Sequence, residues 1–177
     1  MNKFKLTITC LLLIAATAAN AQVTINMATV NSDGPGYYYF VDNYKNGIVV
    51  LNESMEYILT GTTTSKSVYT AGGGQTLTLN NVKITNSWYP AIELGKGQVV
   101  IKLADGTVNE LKSTASAAAV QVGANSALTI TGTGELFATG GSKSAGIGGS
   151  LGMSAGNITI NSGIIHAWKP KEKILSN

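Results

Sequence analysis

Thr76 to Leu103 constrains the fold more than any other stretch: TLTLNNVKITNSWYPAIELGKGQVVIKL. Leu77 and Leu79 alternate with threonines, Val82 and Ile84 alternate beyond Asn80-Asn81, and Ile92 and Leu94 flank Glu93. Period-two alternation over short runs marks strands with one buried face. The corners between the runs hold two to six residues, too few for helices. The stretch therefore reads as one coil of backbone with a short strand on each successive side.

The coil recurs along the chain. First strands are expected to begin near Ile48, Leu77, Val99, Leu128 and Ile158, about 22 to 30 residues apart. That spacing lies in the range of solenoids. Second strands are expected at Glu56–Leu59, Lys83–Thr85, Val108–Leu111, Leu136–Ala138 and Ile164–Ala167. Third strands fall at Val68–Thr70, Ala91–Leu94, Ala119–Val122 and Ala145–Gly148. Turns of unequal length between strands of equal length explain the uneven period. The expected fold is all-β: a single-stranded parallel β-helix of about four to five rungs over residues 48–168. An irregular N-terminal strand and cap at 22–47 precede it, and a short charged tail at 169–177 follows.

Met1 to Ala21 has the pattern of a secretory signal. Lys3 and Lys5 precede the apolar run Leu6 to Ala16, and Ala19-Asn20-Ala21 fits the small-x-small cleavage rule. The run is too short for a membrane span, which needs roughly 20 apolar residues. Cys10 lies inside the run, not after it, so it does not read as a lipid-attachment site. Cleavage near Ala21 would leave about 155 residues, one domain by length, in the periplasm, at the cell surface or outside the cell. The only cysteine would leave with the signal, so packing alone must hold the exported chain. The formal charge would fall from +3 to about +1. There is no arginine, and no basic stripe interleaves with aromatics. Planar guanidinium forks carry much recognition of phosphate and guanine. Nucleic acid is therefore excluded as a partner.

Two irregular stretches carry alternatives. Tyr37-Tyr38-Tyr39-Phe40 follows the turn Asp33-Gly34-Pro35-Gly36. It reads either as aromatic bulk capping the first rung or as a stacking platform for a ligand. Thr139 to Gly156, TGGSKSAGIGGSLGMSAG, lacks the Gly-Lys-Ser/Thr ending of a phosphate cradle and the aspartates of a calcium-binding β-roll. Its glycines read as solenoid corners that permit close stacking. Asp105-Gly106 reads as a turn in which Asp105 bonds nearby amides and Gly106 takes positive φ.

LTLNNVKITNSWYPAIEL, VIKLADGTVNELKS, LTITGTGELFATGG, AGIGG and GNITINSG resemble segments of the secreted bacterial carbohydrate-binding domain proteins. The resemblance covers about Gly47 to Trp168. It implies a right-handed parallel β-helix similar to polysaccharide lyases, and a polysaccharide or oligosaccharide as partner. The chain departs from the usual pattern at Asn86-Ser87-Trp88-Tyr89-Pro90, where that family commonly has a small, glycine-bearing turn. It also stops soon after Trp168, where many relatives continue, which implies a short or truncated variant.

Stacked rungs lie about 4.8 Å apart, so outward side chains form columns. Lys83, Phe137 and His166 are expected on the second side; Tyr69, Glu93 and Gln121 on the third; Trp88 and Tyr89 on the turn entering the third. An aromatic beside an acid and an amide is what a sugar site needs: a flat ring for the apolar pyranose face and polar groups for its hydroxyls. The candidate carbohydrate-binding residues are therefore Trp88, Tyr89, Glu93, Tyr69 and Gln121, with the alternative that Trp88 and Tyr89 only cover a corner. Trp168 is expected to cap the last rung. No catalytic residue is assigned. His166 is the only histidine, and the acids are scattered singly along the sequence, including Asp42, Glu53, Glu56, Glu93, Asp105, Glu110 and Glu135. Glycosidases need two facing carboxylates and metal sites need converging ligands. No cofactor is expected; calcium stays open without a motif. The reading is a non-catalytic carbohydrate binder. The alternatives are a structural or adhesin-like surface protein with end-to-end self-association, whose exposed edge is guarded by Lys169, Pro170, Lys171 and Lys173, and a degenerate polysaccharide lyase.

Overall fold

The computed structural model describes residues 21–41, 46–51 and 55–170. The expected signal before Ala21, the acids Asp42 and Glu53, and the tail lysines Lys171 and Lys173 lie outside the described residues. In chain order the strands are β1 (Ala21–Asn26), β2 (Tyr37–Val41), β3 (Asn46–Val50), β4 (Met55–Thr63), β5 (Lys66–Thr70), β6 (Thr76–Asn86), β7 (Ile92–Leu94) and β8 (Gly97–Leu103). Then come β9 (Val108–Ser113), β10 (Val120–Val122), β11 (Ser126–Gly132), β12 (Glu135–Thr139), β13 (Ile147–Gly148), β14 (Asn157–Ile160) and β15 (Ile164–Trp168).

The described residues are all-β, and every pairing between their strands but one is parallel; β2 runs antiparallel to β3. A curled nine-stranded sheet holds two sides of the coil and a six-stranded sheet holds the third. On the first side, Leu59, Leu79 and Leu103 are aligned across β4, β6 and β8. On the second, Ile84, Leu111 and Ala138 are aligned across β6, β9 and β12. On the third, Val68, Ile92 and Val120 are aligned across β5, β7 and β10. Each strand thus pairs with its counterpart one turn later, a solenoid-like stacking. The aligned apolar residues are fully buried and form one core, which is why alternation in the sequence converts directly into inside and outside.

The phase of the first coil differs from expectation. Ile48 aligns with Val68 and so belongs to the third side. Glu56–Leu59 aligns with Thr76–Leu79 and so belongs to the first. Thr60–Thr64 reads as a corner, yet Thr62 and Thr63 are strand residues aligned with Lys83 and Ile84. Threonine-only sequence carries no apolar alternation, so this second-side strand is silent in the pattern. Val23 and Ile25 align with Tyr57 and Leu59, so β1 is a stacked strand beneath β4.

The corners are shaped by backbone and by buried amides. Asn81 turns the first side into the second with a φ of 53°, a left-handed conformation that asparagine tolerates better than most residues. Gly106 has a φ of 65° as expected, but Asp105 accepts a hydrogen bond from the Thr133 hydroxyl one turn on, at 2.7 Å, in place of local amides. Gly132 has a φ of 97°, and a Cβ there would lie 2.1 Å from the Leu103 carbonyl oxygen. In the glycine-rich stretch, a Cβ on Gly141 would lie 1.5 Å from the Ala115 carbonyl oxygen. Glycine there permits successive corners to touch backbone to backbone. Buried Asn109 joins three turns: its Oδ1 accepts from the Val82 amide at 3.1 Å, and its Nδ2 donates to Thr107 Oγ1 and the Glu135 carbonyl, each at 3.1 Å.

Candidate functional site

On the third side, outward positions alternate with the buried Val68, Ile92 and Val120. Tyr69 aligns with Glu93, and Glu93 with Gln121. The expected column is therefore present in register, with half-buried side chains one strand spacing apart. Gln121 Nε2 donates to Glu93 Oε1 at 3.4 Å, while its Oε1 accepts from the Ser150 hydroxyl. Ser150 Oγ in turn accepts from the Ala118 amide at 3.0 Å. The carboxamide is thus held from both ends before any ligand arrives.

The column extends further than the sequence suggested. β2 adds Tyr38 opposite Val49, which aligns with Tyr69. Phe40 meets Tyr69 edge to face, with ring centroids 5.3 Å apart. Tyr37 and Tyr39 instead pack on the core. The tyrosine run thus divides by alternation: two rings inward, Tyr38 and Phe40 outward. An unbroken aromatic run has no apolar–polar contrast, so this division could not be read from sequence.

Trp88 and Tyr89 lie outside the column, on the turn that leads into β7. Trp88 is 76% exposed, and Tyr89 is half-buried. Asn86, only 3% exposed, anchors the turn. Its Oδ1 accepts from the amides of Trp88 and Tyr89, both at 2.9 Å, and its Nδ2 donates to Ser67 Oγ at 2.9 Å and the Ser65 carbonyl at 3.0 Å. Ser67 Oγ donates to the Pro90 carbonyl at 2.7 Å, fixing the turn's other end. An exposed indole on a turn with so many backbone tethers is pre-organised, which lowers the entropy lost on binding.

The second side carries Lys83, Glu110, Phe137 and His166 in one column. Lys83 Nζ lies 2.6 Å from Glu110 Oε2, and His166 Nε2 lies 2.9 Å from Glu135 Oε1. His166 stacks flat on Phe137, with centroids 4.5 Å apart. Trp168, expected as a cap, stands beside Phe137 edge to face at 6.2 Å. β15 continues the second-side alternation through Trp168, which turns the indole outward; aromatic bulk near the end of a run gave no sign of this.

The acids serve separate sides. Glu56, on the first side, accepts from Thr78 Oγ1 and Gln22 Nε2, with Lys102 Nζ at 3.8 Å. The Thr78 hydrogen bond is the chief cause holding its carboxyl below the usual range; burial opposes it, while Gln22 and Lys102 add to it. Glu110 and Glu135 are engaged on the second side, and Glu93 on the third. Among the described residues, no three His, Cys, Asp or Glu side chains converge as a metal site. Among the described residues, no helix is long and apolar enough to cross a membrane.

Fold and sites together make a stacked-coil protein that presents aromatic and polar side chains on its outer sides. The model of one family, described as carbohydrate-binding domain-containing protein, matches residues 45–175, most of the chain. The chain belongs to that family. No curated protein and no solved structure matched it.

Proposed function

We propose that the protein is a right-handed parallel β-helix that is exported and binds polysaccharide on its third side without cleaving it. The observation that carries this reading is the Tyr69–Glu93–Gln121 column, in register beside the anchored, exposed Trp88, in a member of a carbohydrate-binding family. The rungs of the column are about 4.8 Å apart, so a polysaccharide lying along the coil axis meets a new side chain at each rung. Trp88 offers a flat face to a pyranose, Tyr89 flanks it, and Glu93 and Gln121 bond hydroxyls. The dispersal of the described acids over three sides favours binding over cleavage. The signal pattern at the N-terminus supports export.

The test is affinity electrophoresis in gels containing plant, algal or host polysaccharides. The wild-type protein is expected to be retarded in at least one, and Trp88→Ala to weaken that retardation. Free migration of the wild type in every gel would sink the reading. Incubation with polygalacturonate and calcium, followed by absorbance of unsaturated uronates, is expected to give no signal; a rising absorbance would reinstate the lyase alternative.

One observation favours a second reading, self-association. Ile158 and Ile160 continue the inward columns of Leu128 and Ile130, yet Ile160 is 51% exposed. A second copy stacked on this end would bury them. Mass measured across a dilution series decides: a mass that stays monomeric at high concentration removes this reading.

A further inference from the structure

Trp168 stands between two concavities, one apart from the third-side column and one that meets it only at Ser150 and Ile147. On one side is a hollow of about 330 Å³ lined by Val108, Glu110, Phe137, Thr139 and Trp168. On the other is a groove of about 710 Å³, whose walls include Lys143, Ser144, Ser150, Met153, Trp168 and Lys169. The glycine-rich stretch supplies most of the groove's floor. The sequence leaves Lys143 isolated; the fold brings Lys169 to the same groove.

We infer that Trp168 is the ridge of a second saccharide path, running from the hollow into the groove, and that the sugar unit in the groove is anionic. This rests on the carbohydrate reading above and adds a site and a ligand class to it. In the hollow, His166 covers one face of the Phe137 ring, so the other face is turned toward β9 and Glu110. Trp168 meets that ring at 82°, forming two walls of a corner. Glu110 is neutralised by Lys83 at 2.6 Å, and together with Thr139 it gives the hollow a polar wall suited to hydroxyls. Trp168 keeps 45% of its surface exposed, enough to receive a sugar ring.

The groove differs in charge. Lys143 and Lys169 are both exposed, and among the described residues no Asp or Glu lines the groove. Lysine acts as a point charge without demanding planar geometry, which suits a carboxylate or sulfate on a flexible glycan.

Electrophoresis in polygalacturonate gels, with xyloglucan as the neutral counterpart, tests this. Stronger retardation in polygalacturonate is expected, weakening as sodium chloride is raised. Trp168→Ala is expected to weaken retention about fivefold. The double variant Lys143→Gln/Lys169→Gln, at exposed positions that leave the thermal midpoint unchanged, is expected to abolish the preference for the acidic gel. Retention that depends on Trp88 but is indifferent to Trp168 and to both lysines would overturn the second path and leave the third-side reading intact. Equal, salt-insensitive retention in the two gels would overturn the anionic assignment. Free wild-type migration in all gels would defeat this inference together with the broader carbohydrate reading.

Discussion

Asn86→Ala separates the anchoring of Trp88 from its contact with sugar. The substitution removes four hydrogen bonds from a side chain that is only 3% exposed. It strands the Ser65 carbonyl and the amides of Trp88 and Tyr89. At about 0.5–1.5 kcal/mol net per bond, and with the turn amides able to recover water, the loss is about 2–4 kcal/mol. For a domain of this size, that lowers the thermal midpoint by roughly 5–15 °C. Trp88→Ala, at a side chain 76% exposed, should change stability by less than about 0.5 kcal/mol. Both variants should weaken retention in the glycan gel, one through disorder of the turn and the other through loss of the ring. Circular-dichroism melts and gel mobility, measured on the same preparations, give both numbers. A wild-type melting point in Asn86→Ala would refute the anchoring argument; full retention with a lowered melting point would refute the coupling of anchor to site.

Two further predictions concern the scaffold. Gly132→Ala meets both a φ of 97° and the Leu103 carbonyl at 2.1 Å, so destabilisation of about 3 kcal/mol or more is expected; a melt within 2 °C of wild type, about 1 kcal/mol or less, would contradict the close stacking of corners. Glu56 has a depressed pKa, chiefly through Thr78. Its contribution is present above the unfolded glutamate value of about 4.3 and is lost as pH falls from there toward the lower folded value. Thr78→Val should therefore be less stable than wild type at neutral pH, with the gap closing as pH falls through that window. A gap that is constant with pH, measured by urea unfolding, would show that the hydroxyl acts otherwise.

The fold was legible wherever apolar residues alternate with polar ones. Leu77, Leu79, Val82, Ile84, Ile92 and Leu94 point inward as their spacing requires. The parallel register followed from recurrence, and it put Tyr69, Glu93 and Gln121 in one column. The first coil was mis-phased because Thr62 and Thr63 form strand without apolar contrast, so one side of that turn went uncounted. Tyr38 and Phe40 were hidden by an aromatic run that looks alike on both faces. Trp168 was missed because the expected second-side strand ended at Ala167; the strand runs one residue further and brings the indole beside Phe137. Asn86 looks in sequence like an ordinary turn asparagine and Asn109 like a polar residue of an expected strand; burial with full hydrogen bonding distinguishes them, and burial belongs to the folded chain.

Glycan binding on the third-side wall would bring the ligand against Trp88 and Gln121. Nuclear magnetic resonance of the Trp88 indole and the Gln121 side-chain amide, during titration with an oligosaccharide from a retarding polysaccharide, tests it most directly. Saturable shifts are expected at both groups with one common dissociation constant. Saturable shifts confined to other sides of the coil, with Trp88 and Gln121 unmoved, would contradict it.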